Sequence, residues 1–312
     1  MNGLRIIITG HTGFIGKHLL KHFKKKADII GISRSSCEND AVESIRLDVS
    51  KINEEELELY RPLLEGADAI VHLSAYRPIV RSRRKDFFVD NIKVNVRGTL
   101  NVLMIAKRFK IDKFLLASSI KVYGDAKSFV SEEDPPLPNT NYGKSKLLAE
   151  KLCETFSKLY EIKCISLRIS SVFGPGMSCN LVFAIFMNKA LRGEPLIVHR
   201  HQTGYEFLDL IYVKDVVRAV EKALYLEQEN PYEVFNIGSQ SPVNTFELAN
   251  EVIAAIGSKS RIKVIEMKGR RRGVKLSIEK ARKHLKWKPN YDIKSAIRDF
   301  LPGWYCENIA CS

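Results

Sequence analysis

The sequence lacks the features that mark membrane-spanning and exported proteins. Its apolar runs, such as Leu181 to Met187, are far shorter than the roughly 20 residues that cross a bilayer. The apolar stretch within Met1 to Gly10 is too short for the core of a signal peptide, and no small-residue cleavage site follows it. We therefore expect a cytoplasmic protein with no membrane span.

Cysteine pairs at metal-binding or redox spacing are also missing. The six cysteines are scattered, with no Cys-x-x-Cys pair and no histidine partner at the spacing of zinc ligands. This pattern predicts reduced thiols and no metal site. The cysteines are Cys37, Cys153, Cys164, Cys179, Cys306 and Cys311.

Acidic residues are outnumbered, since 36 Asp and Glu face 50 Lys and Arg and the net charge is +14. Such a balance attracts polyanions, and it suits a nucleotide diphosphate as well as DNA. The basic residues form separate clusters, Lys24 to Lys26, Arg81 to Lys85 and Arg270 to Arg272, without the interleaved aromatics of a single-strand binding surface. We expect no specific nucleic-acid partner; the alternative predicts salt-dependent binding to any duplex.

Strand and helix patterns alternate through the first half of the chain, which is typical of βαβ units in a parallel sheet. The predicted strands are Leu4 to Thr9, Asp28 to Ser33, Ser44 to Asp48, Ala69 to Leu73, Lys113 to Ser119 and Lys163 to Ile169. The predicted helices between them are Phe14 to Lys26, Glu54 to Leu64, Asp86 to Phe109 and Tyr142 to Tyr160.

The order becomes less regular beyond residue 176. The predicted elements there are a helix over Leu181 to Arg192, a strand over Phe207 to Val213, and helices over Asp215 to Leu226, Thr245 to Ile256 and Ile293 to Phe300. The predicted fold class is α/β, with a Rossmann-type doubly wound parallel sheet in a domain over residues 1–175. Segments near 207–240 are expected to return to that domain, and residues 176–312 to form mainly a smaller C-terminal substrate-binding lobe.

Three glycines occupy the turn between the first strand and the first helix, in Gly10-His11-Thr12-Gly13-Phe14-Ile15-Gly16. The first permits a tight turn, the second lets the backbone approach a pyrophosphate, and the third lets the helix pack closely on the strand. The helix N-terminus then attracts the phosphates. The turn predicts a dinucleotide cofactor held by Gly10, Thr12, Gly13, Phe14, Ile15 and Gly16.

The second predicted strand does not end in the acidic residue that holds the adenosine ribose in NAD-binding forms of this fold. It ends in Ser33 and Arg34, which can hold a 2′-phosphate through charge-assisted hydrogen bonds. We therefore expect NADP(H) rather than NAD(H), with a solvated Arg34 beside an NAD site as the alternative. Asp48 and Val49, which end the third predicted strand, are predicted to meet the adenine, unless Asp48 is only a turn residue.

A tyrosine and a lysine four residues apart, Tyr142 and Lys146, lie on one face of a predicted helix. A nearby ammonium favours the phenolate, so Tyr142 is predicted to exchange a proton with a substrate hydroxyl or carbonyl. Lys146 is also placed to hydrogen-bond the nicotinamide ribose. The strand that ends at Ser119 reaches the sheet edge where ligands bind, so Ser119 is predicted to hold the reacting oxygen, with Ser118 as its closest rival.

These motifs, with others in the same order, make the chain resemble the extended short-chain dehydrogenase/reductase family, in its NAD-dependent epimerase/dehydratase branch, almost from end to end. The further matching segments are Val71 to Ala75, Asn95 to Thr99, Ser118 to Gly124, Leu167-Arg168, Val172 to Pro175, Ile211 to Val216 and Phe235 to Gly238. The resemblance implies that Ser119 is the catalytic Ser/Thr, Tyr142 the general acid/base and Lys146 its partner, and that the substrate is a nucleoside-diphosphate sugar. The cofactor contacts that it adds are Leu73, Ser74, Ala75, Arg77, Asn95, Ser118, Tyr142 and Lys146.

Family members that dehydrate a hexose carry an acidic pair after the catalytic Ser/Thr, whereas this chain has Ile120 and Lys121. Neither side chain can act as a carboxylic acid, so a 4,6-dehydratase is disfavoured. We expect a 4-keto-sugar reductase of the kind found in polysaccharide biosynthesis, acting at C4 of a nucleoside-diphosphate hexose. An NAD-dependent UDP-hexose 4-epimerase and a non-catalytic NADP(H)-sensing regulator are the alternatives.

Two positions depart from the family where the substrate is expected. Leu208 stands in place of an arginine that grips the diphosphate, and Ser171 stands in place of an asparagine. Basic residues predicted to compensate are Arg192, Arg200 and one of Arg270 to Arg272. The predicted substrate contacts are Ser119, Lys121, Tyr142, Ser171, Arg200 and Arg272. The helices near Asp86 to Phe109 and Tyr142 to Tyr160 often form a dimer interface in this family, so a homodimer is expected.

Overall fold

Runs of isoleucine, valine and leucine form the central strands, because β-branched residues suit a buried pleated surface. The computed structural model describes residues 3–35, 42–77, 88–125, 129–270 and 273–307. Its strands are β1 (Leu4–Thr9), β2 (Ala27–Ser33), β3 (Glu43–Arg46), β4 (Ala69–His72), β5 (Lys113–Ser119), β6 (Phe129–Val130), β7 (Lys163–Ile169), β8 (Ser171–Phe173), β9 (Leu196–His201), β10 (Gly204–Tyr205), β11 (Phe207–Leu208), β12 (Leu210–Tyr212), β13 (Tyr232–Ile237), β14 (Val243–Asn244), β15 (Ile262–Met267) and β16 (Lys275–Leu276). Its helices are α1 (Phe14–Phe23), α2 (Glu54–Leu59), α3 (Arg61–Leu64), α4 (Phe88–Asn91), α5 (Gly98–Arg108), α6 (Asn141–Tyr160), α7 (Val182–Leu191), α8 (Val213–Leu224), α9 (Thr245–Ile256), α10 (Glu279–His284) and α11 (Ile293–Glu307), with a π-helical turn over Ile92–Arg97 and a 3-10 turn over Ile120–Tyr123.

The first of two units comprises Met1–Gly124, Pro135–Arg168 and Val217–Phe235, and it is built on the main sheet. Within the described residues this sheet has seven strands in the order β13-β7-β5-β4-β1-β2-β3. β1 pairs in parallel with β2 and β4, β2 with β3, and β4 with β5. The chain runs outward from β1 to β3 and then returns to β4 on the other side of β1, so the topological switch point lies between β1 and β4. The predicted Rossmann-type doubly wound sheet is confirmed.

The core of this unit forms where apolar strand residues meet the helices that follow them. Ile7 and Ile70 from the sheet, Val102 and Ala106 from α5, and Ala149 from α6 belong to one buried cluster. Because α5 and α6 each bury one face in this cluster, the residues at their ends have fixed positions relative to the strand ends.

Two predicted helices are interrupted. The helix expected over Glu54 to Leu64 breaks at Tyr60 into α2 and α3, since Pro62 in the first turn of α3 has no amide hydrogen to continue the first helix. The helix expected over Asp86 to Phe109 consists of α4, the π-helical turn and α5, with residues 86 and 87 outside the described part. Single π-helical turns often occur at functional sites, and this one contains Asn95.

The second unit comprises Asp125–Asp134, Ile169–Val216 and Asn236–Ser312. It contains small sheets in which β9 pairs with β10 and β15, β8 with β12, β11 with β14, and β6 with β16. Part of its core is aromatic: the ring of Phe173 lies 4.4 Å from that of Phe183 and 5.6 Å from that of Tyr212, measured between centroids.

Tertiary contacts explain where the predicted elements of the second half differ from the observed ones. The strand expected over Phe207 to Val213 splits at Asp209, whose buried carboxylate accepts the amides of Ser239 at 2.7 Å and Leu276 at 3.0 Å. α11 passes the expected end at Phe300 because Trp304 is buried there, with its indole donating to Asn188 at 3.1 Å. The strand β13 was not predicted.

No helix in the described part of the chain combines the length and the apolar character needed to cross a membrane. In the same part, no group of three or more His, Cys, Asp or Glu side chains is arranged to hold a metal ion.

Candidate active site

The turn between β1 and α1 is shaped by its glycines. Gly10 has a φ of 72°, and its amide donates to the carbonyl of Ile32 at 2.7 Å. A Cβ atom on Gly16 would lie 2.4 Å from the carbonyl oxygen of Gly10, so only glycine lets α1 approach the turn this closely. Gly13 is the N-cap of α1; no described side chain caps this end, and its first turn carries no acidic residue. The N-terminus of α1 is therefore suited to a bound phosphate.

Several strand ends meet at this turn. A Cβ atom on Gly10 would lie 2.9 Å from the amide nitrogen of Ser74, so the segment after β4 packs directly against the glycine turn. The hydroxyl of Thr12 lies 3.4 Å from that of Ser35, which follows β2. Phe14 begins α1. The structure thus brings these predicted cofactor residues together beside the switch point; their contact with a cofactor stays a prediction.

The end of β2 differs from the expected phosphate cradle. Ser33 is buried, and its hydroxyl donates to the carbonyl of Ser35 at 2.5 Å, so that hydrogen is used within the turn. Arg34 is exposed. Arg46, which pairs with Ser33 across β2 and β3, is also exposed, and its Nε donates to the carbonyl of Arg34 at 3.3 Å. The positive charge at this edge therefore comes from two guanidinium groups, one of which was not predicted.

Asp48 forms a local turn. Its carboxylate accepts the amide of Ser50 at 3.0 Å and the hydroxyl of the same residue at 2.8 Å. Burial raises the pKa of Asp48, but the hydrogen bonds from Ser50 and the charge of Arg34 outweigh burial and hold that pKa below its usual value. Val49 is buried and its carbonyl accepts from Asn101 at 2.8 Å. Asp48 thus fits the turn role that the sequence left open, and the adenine contact stays a prediction.

Asn95, a predicted cofactor residue, has its side chain engaged within the protein. Its amide oxygen accepts the backbone amide of Tyr76 at 2.7 Å, and its nitrogen lies 3.1 Å from the carbonyl of Tyr76 and 2.9 Å from the hydroxyl of Ser145. This buried side chain therefore ties the segment after β4 to α6. It fixes a segment that contains other predicted cofactor residues, namely Leu73, Ser74, Ala75 and Arg77.

The predicted catalytic residues meet at the end of β5. The hydroxyl of Ser119 accepts the amide of Lys121 at 3.2 Å and is hydrogen-bonded to Tyr142. The neighbouring Ser118 instead donates its hydroxyl to the carboxylate of Glu150. The structure therefore directs Ser119, and not Ser118, toward Tyr142.

Close packing places Tyr142 beside this strand end. A Cβ atom on Gly143 would lie 2.3 Å from the carbonyl oxygen of Lys121, so a glycine is needed where α6 meets the 3-10 turn. Thr140 caps the helix, its hydroxyl accepting the amide of Gly143 at 3.0 Å. Sequence reasoning missed Gly143, although a glycine in the first turn of a helix is unfavourable without such a reason.

Lys146 is nearly fully buried, and its ammonium donates to the carbonyl of Ala117 at 2.8 Å, 6.0 Å from the centre of the Tyr142 ring. Burial lowers the pKa of Lys146 to about 8, although Cys153 and Glu150 oppose this. Burial also raises the pKa of Tyr142, against the charge of Arg77 and the hydrogen bond with Ser119.

In the free protein, Tyr142 is therefore a neutral phenol at neutral pH. This differs from the expectation that the nearby ammonium favours the phenolate. The physical reason is that burial outweighs the charge of Arg77 and the hydrogen bond with Ser119.

The order of these residues matches a known family, since the NAD dependent epimerase/dehydratase family matches residues 6–238. The chain belongs to this family. Among its relatives, UDP-glucuronic acid decarboxylase 6 of Arabidopsis thaliana is 31% identical, over 96% of this chain and 88% of that protein. A protein of Bacillus subtilis named as an uncharacterized UDP-glucose epimerase is 27% identical, over 94% of this chain and 96% of that protein. The structure of UDP-glucuronic acid 4-epimerase from Bacillus cereus, in complex with UDP-glucuronic acid and NAD, is similar with a TM-score of 0.83 and 25% identity, covering 97% of this chain and 100% of that chain.

Membership of the epimerase/dehydratase family confirms the resemblance seen in the sequence. It also confirms the expected enzyme class, an NAD(P)-dependent short-chain dehydrogenase/reductase.

The residues of this epimerase/dehydratase that were predicted to bind substrate are divided between the two units. Ser119, Lys121 and Tyr142 lie in the first unit, where Lys121 is exposed. Ser171 in β8 and Arg200 in β9 lie in the second, where Arg200 pairs with Glu266 of the adjacent strand at 3.6 Å. Arg272 and the basic cluster Arg81 to Lys85 lie outside the described residues. These substrate contacts stay predictions.

Proposed function

We propose that this epimerase/dehydratase family member transfers hydride at C4 of a UDP-hexose and acts as a 4-epimerase. The observation that carries the proposal is the grouping of Ser119, Tyr142 and Lys146 at the end of β5. A hydroxyl, a phenol and an ammonium in this order can hold, deprotonate and reprotonate one oxygen of a substrate. The relatives named as UDP-sugar epimerases and decarboxylases support a UDP sugar.

A nicotinamide dinucleotide fits the glycine turn, and we propose that the first unit binds it and that the second contributes the substrate lobe. The uncapped N-terminus of α1 and the close approach of Gly10 and Gly16 suit its pyrophosphate. When bound, this cofactor accepts and returns a hydride. The similar Bacillus cereus enzyme holds NAD, which supports NAD(H) here.

The chain's own residues handle the proton. The hydroxyl of Ser119 holds the C4 oxygen beside Tyr142. As the C4 hydrogen leaves with its electron pair, the C4 hydroxyl gives its proton to the phenolate of Tyr142, and a ketone forms. In the reverse direction the neutral phenol returns the proton to the oxygen. The charge of Arg77 and the hydrogen bond with Ser119 stabilise the phenolate form that the first step needs.

Net reduction of a 4-keto-sugar is the second candidate, and two observations favour it. The raised pKa of Tyr142 provides a neutral phenol as proton donor. The exposed guanidinium groups of Arg34 and Arg46, at the ends of β2 and β3, suit the 2′-phosphate of NADP(H), a cofactor that a reductase takes up and releases.

We also propose a homodimer, formed through the helices that follow β4 and β5. Leu100 and Met104 on α5 and Leu148 on α6 expose large apolar side chains in the first unit. Exposed apolar groups on neighbouring helices are typical of surfaces that bind another protein.

The purified protein is incubated with UDP-glucose, UDP-galactose or UDP-glucuronic acid, each without added cofactor and with NAD. In a separate assay, the 4-keto form of a UDP sugar is incubated with the protein and NADPH. Exchange between C4 epimers without net change in nicotinamide absorbance marks the epimerase, and net oxidation of NADPH marks the reductase. Tyr142→Phe is expected to lower turnover at least about a hundredfold while dinucleotide binding remains. Tyr160→Phe, at the far end of the same helix, is the control. Turnover that is unchanged in Tyr142→Phe, or absent with every sugar, contradicts the proposal.

A further inference from the structure

A buried ion pair that the proposed chemistry does not use lies beside the catalytic residues. The guanidinium of Arg168 on β7 donates to the carboxylate of Glu150 on α6 at 2.8 Å and 3.1 Å. The exposed fractions of the two side chains are 6% and 3%. Both residues belong to the first unit.

Such a pair is a poor way to hold a helix on a sheet. Removing two charges from water is costly, and replacing a buried pair by apolar residues of similar volume is often neutral or stabilising. The surrounding positions show the apolar solution, since Ala149 and Cys153 on α6 are fully buried in the core. The pair therefore calls for an explanation beyond stability.

Its remaining contacts lie on both sides of Ser119. Glu150 also accepts the hydroxyl of Ser118, the residue before Ser119. Arg168 donates to the hydroxyl of Tyr123 at 2.7 Å, with its guanidinium 4.8 Å from the centre of that ring. Tyr123 ends the 3-10 turn that Ser119 caps. The turn that presents Ser119 is thus held at both ends by one ion pair.

The same carboxylate belongs to the helix that carries the other catalytic residues. Glu150 follows Lys146 by four residues and Tyr142 by eight, so all three lie along one side of α6. Lys146 donates to the carbonyl of Ala117, next to Ser118. Helix and strand end are therefore joined at two successive residues, by the lysine at Ala117 and by the glutamate at Ser118.

We propose that Glu150 and Arg168 are positioning residues, which hold Ser119 of β5 at a fixed place relative to Tyr142 and Lys146 of α6. This inference rests on the proposed function. Neither residue touches the substrate or the reacting atoms. A misplacement of about 1 Å in a catalytic group can lower a rate about a hundredfold, so a rigid tie beneath the site has a direct effect on turnover.

Glu150 also affects the charge of Lys146. Its carboxylate raises the pKa of that lysine, against the effect of burial. Among the described residues, the titratable groups with which Lys146 interacts are Cys153 and Glu150 on the same helix, His72 on β4 and Tyr142. His72 is neutral near pH 7, because burial and the charge of Lys146 lower its pKa to about 3. Because burial raises the pKa of the Cys153 thiol, Glu150 is the negative charge among these groups, and it opposes the loss of the Lys146 proton.

The test replaces Glu150 by glutamine, which keeps the shape and removes the charge. We expect kcat to fall about ten- to a hundredfold, with KM for the sugar and dinucleotide affinity little changed. The alkaline limb of the kcat profile should move to lower pH, because Lys146 loses its proton more readily beside a neutral amide and an unpaired Arg168. The control is Glu154→Gln, one turn further along α6, where the carboxylate pairs with Lys151 and Lys158 at the surface.

A second readout needs no substrate. In protein without substrate, the titration of Lys146 is measured as the pH dependence of the free energy of unfolding, compared with that of the same protein carrying Lys146→Met. In the Glu150→Gln background, this titration should also move to lower pH. If the unmodified protein turns over no sugar but this shift is found, the proposed function fails while the effect of Glu150 on the charge of Lys146 stands.

Two results overturn the proposal. One is a folded Glu150→Gln protein with the kcat, the alkaline limb and the lysine titration of the unmodified enzyme. The other concerns the double variant Glu150→Leu, Arg168→Met, which serves if the single variant does not fold. A double variant with full kcat, whatever its stability, would show that the pair does not position the catalytic residues; full stability with reduced kcat supports positioning.

Discussion

Lys146 is an ionisable side chain that folding removes almost completely from water. Its exposed fraction is 2%, and burial lowers its pKa from 10.5 to about 8. The unfolded chain therefore holds this proton more tightly than the folded protein does. By linkage, the free energy of unfolding must rise with pH between those two pKa values. Lys146→Met keeps most of the length of the side chain and removes the charge, so it removes this pH dependence.

The size of the effect follows from the two pKa values. Below about pH 8 the lysine is charged in both states, and burying the charge lowers stability. Above that pH the folded protein releases the proton while the unfolded chain keeps it up to a pKa of 10.5, so stability is gained as pH rises. With about 1.4 kcal/mol for each pKa unit, the gain between about pH 7 and about pH 9.5 is about 2 kcal/mol.

The assay is urea unfolding followed by circular dichroism at both pH values, for the unmodified protein and for Lys146→Met. Groups that titrate equally in the two proteins cancel in the difference, which should move by about 2 kcal/mol in favour of the unmodified protein at the higher pH. Lys144→Met, which removes an exposed lysine from the same helix, shows what loss of one charge does by itself. A difference between the unmodified protein and Lys146→Met that stays constant with pH would refute the burial of a charged Lys146.

Three further outcomes are expected. Gly16→Ala should weaken dinucleotide binding and destabilise the protein by about 1 to 3 kcal/mol, because its Cβ would lie 2.4 Å from a backbone oxygen. Gly13→Ala is the milder control, since its Cβ would lie 3.2 Å from its nearest neighbour. Equal unfolding midpoints for the two variants would contradict this prediction. In binding titrations, Arg34→Ala should lower the affinity for NADP(H) more than the affinity for NAD(H). An equal loss of affinity for both cofactors would show that Arg34 does not bind a 2′-phosphate. Met104→Glu combined with Leu148→Glu should give monomers by light scattering; particles of unchanged mass would place the dimer contact elsewhere or exclude a dimer.

Several strands and the glycine turn could be predicted because local chemistry largely determines them. The strands Leu4–Thr9, Lys113–Ser119 and Lys163–Ile169 have the bounds that their apolar runs predict. The requirement is local for Gly13 and Gly16, which approach the backbone of Gly10 and His11, whereas Gly10 also packs against Ser74 from a distant part of the chain. In contrast, the edge strand Tyr232–Ile237 carries a glutamate and an asparagine, and only its neighbour β7 identifies it as part of the sheet. The split of the expected strand at Asp209 depends on amides some 30 and 67 residues away along the chain.

The protonation state of Tyr142 could not be predicted from the sequence for a related reason. A spacing of four residues places Tyr142 and Lys146 on one helix face, and from that alone the ammonium is expected to favour the phenolate. Whether it does depends on how deeply both groups are buried and on where the ammonium points, and the ammonium points to the carbonyl of Ala117 on β5. Burial, which depends on the packing of distant segments, thus reverses the direction of the Tyr142 pKa shift that local spacing predicts. The ion pair of Glu150 and Arg168 could have been predicted from two features of the sequence. Glu150 lies one turn after Lys146 on the same helix, and Arg168 lies inside an apolar strand, where a buried charge requires a partner of opposite charge.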